Sequence, residues 1–371
     1  MVDHLLEVAQ RRIVRLCPAK GCRPKGPVQS LGHGMLLPGF IDLQVNPVGA
    51  FDILTKGPNA LPMLAARLAK SGCTGFLLAL ITDDLCKLEM AVSSVLHWVG
   101  RATGGARLLG IHLEGPFLNP TRRGVHPLRY IKRPTQKDVS RLLKAAGDSL
   151  RMMTLAPEIP GAIDLLAQLR KGGIVASIGH SNATYDQALR SFEKGVRSAT
   201  HLFNASTPFH HRAPGIVGAV LDSPSVTAQI IPDGFHVHGS AVRMVYRIKG
   251  KKAFCAVTDA LAGGGRHFAF AGTRVQKQNR RFVTRDGTLA GSSLNMAGAF
   301  TNLQSFVKAP LEDLIECLGL TPATLLGLKQ TQGSLEPGKD ADMVWMSDNG
   351  DVQATWVKGE SVYVRNHRVH R

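Results

Sequence analysis

The stretch GIHLEGPF, residues 110–117, is an apolar run that ends on an acidic side chain, Glu114, in front of a Gly-Pro turn. Two later apolar runs end in the same way on histidines: SIGHS presents His180 and THLFNA presents His201. In CAVTDA, the carboxylate of Asp259 follows a fourth apolar run. If these runs are parallel strands of one barrel, their carboxyl ends converge, and the four side chains meet at a single point.

This set of side chains is typical of a catalytic metal centre. Two imidazoles and one carboxylate bind a divalent metal and leave positions open for water and substrate, whereas structural zinc sites are closed. Each residue alone has a structural alternative. Glu114 could cap the turn that follows it, and a lone histidine after a strand is commonly a hydrogen-bonded core or loop residue. Four such placements in sequence order favour the metal site, so we expect a metal-dependent hydrolase.

Glycine-bounded apolar runs alternate with helix-like segments along most of the chain. The segments with helical periodicity are residues 61–70, 136–146, 162–171 and 185–194. A strand followed by a helix, repeated about eight times, indicates a parallel sheet that closes into a (β/α)8 barrel. We therefore predict the α/β class with a TIM-like barrel.

Length and composition favour a globular enzyme. The chain has 371 residues, of which 44% are hydrophobic, enough for a barrel of ~250 residues and an appendage. No apolar run reaches the ~18 residues of a membrane helix, and the N-terminus has neither a signal nor a transit peptide. We expect a cytoplasmic location and no membrane partner. The six cysteines are expected to be reduced, and Cys17 and Cys22 lack the spacing of a structural zinc site.

The chain is strongly basic, with a net charge of +18. Such a charge attracts nucleic acid nonspecifically and also favours an anionic substrate. The basic clusters lack interleaved aromatic residues, and no nucleic-acid-binding motif is present, so we expect solvated surface and no specific nucleic-acid partner. These clusters are residues 122–151, 243–252, 274–285 and 364–371.

Ten runs between about residues 36 and 363 follow the order of a known family. They are PGFIDLQVN (38–46), GIHLEGPFLNPTRRGVHP (110–127), LAPE (155–158), SIGHSNATYDQA (177–188), ATHLFNA (199–205), HHRAPGIVGAVL (210–221), PDGFHV (232–237), VTDA (257–260), DGTLAGSSLNM (286–296) and GSLEPGKDADMVWM (333–346). On these runs the chain resembles the N-acetylglucosamine-6-phosphate deacetylases of the amidohydrolase superfamily. The resemblance implies deacetylation of N-acetylglucosamine 6-phosphate to glucosamine 6-phosphate and acetate, in amino-sugar catabolism.

Hydrolysis of an acetamide needs a strong nucleophile, a Lewis acid on the carbonyl oxygen and a proton for the leaving amine. The strand-end positions and the resemblance together assign Glu114, His180 and His201 as metal ligands. They assign Asp259 as the general base, which takes a proton from the attacking water and returns it to the amine. The alternative for Asp259 is a helix N-cap or turn aspartate.

The segment QVN, with Gln44 and Asn46, occupies the place where many amidohydrolases have HxH and bind a second metal. Amide side chains are weak ligands compared with imidazole, and deacetylases with the same substitution resemble one-metal enzymes. We therefore expect one divalent metal ion per chain, with zinc as the expected element. Gln44 and Asn46 fill the vacated half of the site or serve as plain polar packing.

The resemblance also implies substrate contacts. Arg212 matches a phosphate-binding arginine, whose planar guanidinium suits a bidentate contact with phosphate. An acidic residue usually follows this arginine, and here Ala213 follows it, which leaves Arg212 less constrained. The full predicted set for the phosphate, the sugar and the acetyl group is His126, Asn204, Ala205, Arg212 and His236.

The two chain ends differ from the middle. Residues 333–364 have the pattern of short strands and turns, and residues 12–31 are rich in turns. In relatives the two ends combine into a small β-sandwich beside the barrel. Here the N-terminal part is shortened by roughly two strands, which leaves possible unpaired edges. The predicted boundaries are 1–36 and 333–371 for the small domain and 37–332 for the barrel.

Two alternatives to the leading function stay open. Deacetylation of N-acetylgalactosamine 6-phosphate shares every chemical step and differs in the configuration at one hydroxyl. A catalytically silent, basic binding protein on the same fold belongs to a different class, although it would have no chemical need for all four strand-end residues. The resemblance also implies a homodimer in which the phosphate site draws on the neighbouring subunit.

Overall fold

The polypeptide is built from short strands and helices in alternation. The computed structural model describes residues 3–365. Its strands are β1 (His4–Ala9), β2 (Arg12–Pro18), β3 (Met35–Pro38), β4 (Phe40–Pro47), β5 (Cys73–Ile81), β6 (Arg107–Glu114), β7 (Leu150–Leu155), β8 (Val175–Ile178), β9 (Val196–Ala199), β10 (Thr227–Ile230), β11 (Phe254–Ala256), β12 (Ala260–Ala262), β13 (His267–Phe270), β14 (Thr273–Gln278), β15 (Arg281–Thr284), β16 (Leu289–Ser292), β17 (Met343–Met346), β18 (Val352–Val357) and β19 (Glu360–Val364).

The α-helices lie mostly between the parallel strands. They are α1 (Ile53–Lys56), α2 (Ala60–Ala69), α3 (Leu85–Val95), α4 (Gln136–Ala146), α5 (Ala162–Lys171), α6 (Tyr185–Lys194), α7 (Gly215–Asp222), α8 (Gly239–Lys249), α9 (Met296–Val307), α10 (Leu311–Leu318) and α11 (Leu320–Leu325). Short 3-10 helices cover Gly49–Phe51, Leu96–Trp98, Pro120–Arg122, Leu128–Tyr130 and Gly147–Ser149.

The parallel strands close into the predicted barrel. Strands β4 to β10 pair in sequence order, each parallel to the next. The eighth position is divided: β11 pairs with β10 and β12 pairs with β4. Asp259 lies in the short gap between these two strands, so the seam of the barrel passes through the predicted base. Beyond β12, strands β16, β15, β14 and β13 extend the sheet outward.

Local capping explains why three predicted helices appear with the predicted bounds. Helix α4 starts after Thr135, whose side chain accepts a hydrogen bond from the backbone of Asp138. Helix α6 starts with a capping box, in which Thr184 and Gln187 each bind the other's backbone N–H. Helix α5 ends at two glycines, Gly172 and Gly173. The apolar faces of these helices pack against the outer surface of the barrel.

A small antiparallel sheet forms from the two chain ends, as predicted. Its strand order is β19, β18, β17, β3. The hairpin β1–β2 pairs only with itself among the described strands, and it is attached through Ile13, which is fully buried against Ala341, Met343 and Trp356. The backbone N–H of Ile13 donates to the carbonyl of Lys339 over 2.9 Å. The shortened N-terminal part is therefore a hairpin that packs on the four-stranded sheet.

The expectation that all cysteines are reduced is wrong for one pair. Cys17 and Cys22 form a disulfide, because the end of β2 and the turn after it bring the two residues together. The other four cysteines are free, and three of them are buried.

Residues 1–2 and 366–371 lie outside the described residues. They include most of the basic cluster 364–371 and the ends of both segments predicted for the small domain, whose boundaries stay a prediction. Within residues 3–365, no helix is long and apolar enough to cross a membrane.

Candidate active site

Three predicted ligand atoms meet at the carboxyl end of the barrel. Oε1 of Glu114 lies 2.9 Å from Nε2 of His201 and 3.2 Å from Nε2 of His180. The two Nε2 atoms are 3.1 Å apart, and all three residues are buried. One carboxylate oxygen and two imidazole nitrogens at this spacing are donors that can hold a divalent metal ion and leave a position for substrate. The residues present therefore fit a divalent metal ion.

The charge of the centre also favours a cation. Burial raises the pKa of the Glu114 carboxyl, but its close contacts with the imidazole rings of His180 and His201 outweigh burial and hold the pKa well below its usual range. Burial lowers the pKa of the His201 imidazole, but the contact with the Glu114 carboxylate outweighs it and raises the pKa. A negative carboxylate thus lies at the meeting point of the three side chains.

A hydrogen bond to the backbone orients the His180 ring. Its Nδ1 lies 2.9 Å from the carbonyl oxygen of Arg122, so Nδ1–H donates and Nε2 is free to ligate. Gly124, at φ +54°, allows the Arg122 turn to lie against this ring, since a Cβ there would be 3.3 Å from the ring carbon Cε1. The equivalent Nδ1 of His201 is buried and has no hydrogen-bond partner.

His126 is a second histidine within reach of Glu114. Glu114, His126 and His180 also bring one ligand atom each within 4.8 Å of one another, which makes this trio a competing metal site. The backbone N–H of Thr82, however, donates to Nδ1 of His126. Burial, followed by the charge of His180, lowers the pKa of His126 to about 3. The ring is therefore neutral, its proton is on Nε2, and that nitrogen donates rather than ligates.

Asp259 lies at the barrel seam beside these residues. It is partly buried, and Nδ2 of Asn46 donates to its Oδ1 over 2.8 Å. Burial raises the pKa of Asp259 to about 8, the negative charge of Glu114 adds to the increase, and His201 and Asn46 oppose it. A carboxylate with a high proton affinity suits a general base.

Backbone strain is concentrated at the same residues. His180, His201 and Asp259 have φ values of 47°, 32° and 47°, a region that non-glycine residues rarely adopt and that clusters at functional sites. The turn out of each strand directs the side chain across the end of the barrel. Gly291, in the LAGSS run, lets β16 approach the seam, because a Cβ there would lie 2.9 Å from the carbonyl oxygen of Asp259.

Asn46 contacts Asp259, and Gln44 lies two residues earlier on the same strand, β4. Both are buried. The side-chain oxygen and nitrogen of Gln44 have no hydrogen-bond partner, and neither does Oδ1 of Asn46. Asn46 also borders a cavity of about 220 Å³. The two neutral amides therefore leave polar atoms available to water or substrate.

The PDGFHV loop holds His236 in a fixed orientation. Nδ1 of His236 lies 2.6 Å from Oδ2 of Asp233, and the backbone N–H groups of Phe235 and His236 donate to Oδ1 of the same carboxylate. Burial raises the pKa of Asp233, but the contacts with His236 outweigh it and the pKa is lowered. The ionised Asp233 therefore fixes the ring and leaves Nε2 of His236 available for a ligand.

The remaining predicted substrate residues follow His201. The side chain of Asn204 donates to the carbonyl of His201 over 3.2 Å, and Ala205 has φ 49°. Arg212 is exposed and donates to Nε2 of His211 over 3.0 Å. Among residues 3–365, the side-chain contact of Arg212 is with its neighbour His211 and not with Glu114, His180 or His201.

Three supporting residues are missing from the predicted set. Thr82 sets the tautomer of His126, and Asp233 orients His236. Glu158 accepts hydrogen bonds from Asn119, Ser181 and the backbone of Asn182. Thr82 has no sequence signal, because its partner is 44 residues away. Asp233 lies in the motif PDGFHV and Glu158 lies in LAPE. The sequence therefore contained a signal that could have identified both as supporting residues.

Comparison with known proteins gives a consistent assignment. The model of the amidohydrolase family matches residues 35–362. An N-acetylglucosamine-6-phosphate deacetylase of Haemophilus influenzae is 38% identical over 335 residues, which are 88% of this chain and 86% of that protein. An N-acetylgalactosamine-6-phosphate deacetylase of Escherichia coli O157:H7 is 31% identical over 96% of this chain and 94% of its own. The crystal structure of the N-acetylglucosamine-6-phosphate deacetylase from Pasteurella multocida has a TM-score of 0.92 and 32% identity, covering 98% of this chain and 96% of that chain.

Proposed function

The chain belongs to the N-acetylglucosamine-6-phosphate deacetylase family of the amidohydrolases, and we propose that it hydrolyses the acetamide of N-acetylglucosamine 6-phosphate. The products are acetate and glucosamine 6-phosphate, as in amino-sugar catabolism. The observation that carries this proposal is the meeting of Glu114, His180 and His201 within 3.2 Å of one another, with the partly buried Asp259 beside them.

In this proposal Glu114, His180 and His201 hold one divalent metal ion, and zinc suits their nitrogen and oxygen donors. Bound there, the ion supplies a Lewis acid for the acetyl carbonyl and a nucleophilic water at neutral pH. The neutral amides of Gln44 and Asn46 favour a single ion, because a second ion would lack the imidazole ligands that it needs. His126 is excluded from the ligand set because its Nε2 carries a proton.

Asp259 acts as the general base. Asn46 holds Oδ1 of the carboxylate, which leaves Oδ2 to take a proton from the attacking water. The same carboxyl then returns the proton to the leaving amine, since an elevated pKa makes the protonated form stable enough to act as an acid. His126 donates its Nε2–H to the carbonyl oxygen while negative charge develops there, which lowers the barrier electrostatically.

The phosphate binds at the loops after β9 and β10. Nε2 of His236 and the backbone of Asn204 and Ala205 face it from the same chain. Arg212 lies in an exposed loop with Phe209, whose side chain is 55% exposed. We place this loop at a homodimer interface, where the guanidinium reaches the phosphate of the neighbouring subunit. A charged sugar phosphate does not cross membranes unaided, which supports a cytoplasmic location.

The assay is release of acetate and free amine in equal amounts from N-acetylglucosamine 6-phosphate by the metal-loaded protein. N-Acetylgalactosamine 6-phosphate and unphosphorylated N-acetylglucosamine are the comparison substrates. We expect the gluco phosphate to have the highest kcat/KM and the unphosphorylated sugar the lowest.

A His201→Ala preparation, purified in the same way, provides the background rate. Release that equals this background for every substrate would support the catalytically silent alternative. A higher kcat/KM for the galacto epimer would support the second deacetylase activity instead.

A further inference from the structure

Arg281 lies at the start of β15, close to the barrel seam. In the antiparallel register Arg281 pairs with Ser292 of β16, and the backbone N–H of Ser292 donates to the carbonyl oxygen of Asp259 over 2.9 Å. The next residue, Phe282, is buried in an apolar cluster with Val275. Because strand side chains alternate, Arg281 points away from that cluster.

The guanidinium of Arg281 stacks on the loop that carries His236. Its central carbon lies 5.4 Å from the centroid of the Phe235 ring, within the range of a cation–π contact. Phe235 is 38% exposed and lies between Asp233 and His236, whose hydrogen bonds fix the loop. The hairpin β14–β15 therefore places a cation next to the proposed phosphate site.

This cation has no anionic partner among residues 3–365. None of the ion pairs in that part of the chain includes Arg281, and its Nε is buried without a hydrogen-bond partner. The nearby Asp233 carboxylate is occupied by His236 and two backbone N–H groups. A partly buried, unpaired guanidinium is costly unless an anion completes its hydrogen bonds.

We infer that Arg281 is a phosphate-binding residue of the active site, supplied by the same chain that supplies His236. The phenyl ring of Phe235 holds the guanidinium plane, so its N–H groups can form paired contacts with phosphate oxygens. The inference rests on the proposed function, because it assigns a contact with the substrate of that same site. It gives each subunit its own arginine for the phosphate, whereas the side chain of Arg212 is exposed and contacts His211.

The test compares Arg281→Ala with Arg280→Ala on N-acetylglucosamine 6-phosphate and on unphosphorylated N-acetylglucosamine. Arg280 is the adjacent residue and is exposed, so both variants lose the same charge from the same hairpin. Loss of a charged hydrogen bond of about 1.5–3 kcal/mol predicts a KM for the phosphate ester that is raised roughly 10- to 100-fold in Arg281→Ala. In Arg281→Ala, kcat for the phosphate ester and kcat/KM for the unphosphorylated sugar should stay within about twofold of the wild-type values. All kinetic constants of Arg280→Ala should stay within the same range.

Three results would overturn the inference. Equal losses on both sugars would make Arg281 a structural support of the loop. If the KM of Arg281→Ala for the phosphate ester equals that of Arg280→Ala, Arg281 contributes only to the general positive charge of the hairpin. If Arg281→Ala does not fold, Arg281→Met is tested instead, because methionine keeps the aliphatic part of the side chain. An inhibition constant for inorganic phosphate in Arg281→Met that equals the wild-type value would also contradict the inference. Failure of the wild-type protein to release acetate would instead overturn the proposed function.

Discussion

Asp259 is the residue on which the proposed chemistry depends, because it lies at the barrel seam and its pKa is raised by burial and by Glu114. Replacement by Asn keeps the size and the hydrogen bond to Asn46 but removes the proton acceptor. We expect kcat to fall by about 10² to 10⁴, the usual contribution of a general base, while metal content is retained.

Steady-state kinetics and elemental analysis of Asp259→Asn check this expectation. Asp148→Asn, which changes an exposed carboxylate, is the matched control and should keep the wild-type kcat. If Asp259→Asn retains more than about a tenth of the wild-type kcat with its metal bound, another group is the base.

At the scale of residues, the sequence predicts the meeting of three side chains better than it predicts the contacts that orient them. Glu114 ends its strand, and His180 and His201 follow theirs; because parallel strands end at one edge, their meeting could be predicted. The tautomer of His126 depends on Thr82, and the orientation of His180 depends on the carbonyl of Arg122. Such contacts depend on turns whose paths have no sequence pattern, which is why they could not be predicted.

Among the elements, the junction between barrel and small sheet depends on one buried cation. Arg107, at the start of β6, forms ion pairs with Asp340 and Asp342 next to β17. We expect Arg107→Met to lower the free energy of unfolding by about 3 to 5 kcal/mol, because it leaves two buried carboxylates without their cationic partner. Urea unfolding followed by circular dichroism measures the change.

Arg101→Met is the control for this substitution, since Arg101 is an exposed arginine a short distance before β6. It should change the unfolding free energy by less than about 0.5 kcal/mol. A similarly small change for Arg107→Met would show that the carboxylates find other partners and that the junction does not need this cation.

The elements that local signals define were predicted most accurately. Helices α4, α5 and α6 have their predicted bounds because caps and terminal glycines lie within a few residues of each end. Strand β1 and the division of the eighth barrel strand into β11 and β12 were not predicted. The hairpin is stabilised by the distant residues of the C-terminal sheet, and the division depends on the left-handed backbone of Asp259.

For the whole molecule, the alternation of strands and helices predicted the barrel, and the resemblance predicted the small sheet. The net charge of +18 suits an anionic substrate, and Arg281 gives part of that charge a specific role.

The central claim is that one metal ion at Glu114, His180 and His201 supports deacetylation. The most direct measurement is the rate of acetate release from N-acetylglucosamine 6-phosphate while Zn²⁺ is added stepwise to metal-stripped protein. We predict a rate that rises linearly and reaches its plateau at one equivalent per chain, because Gln44 and Asn46 offer no second set of strong ligands. A plateau at two equivalents, or no acetate at any ratio, would contradict the account.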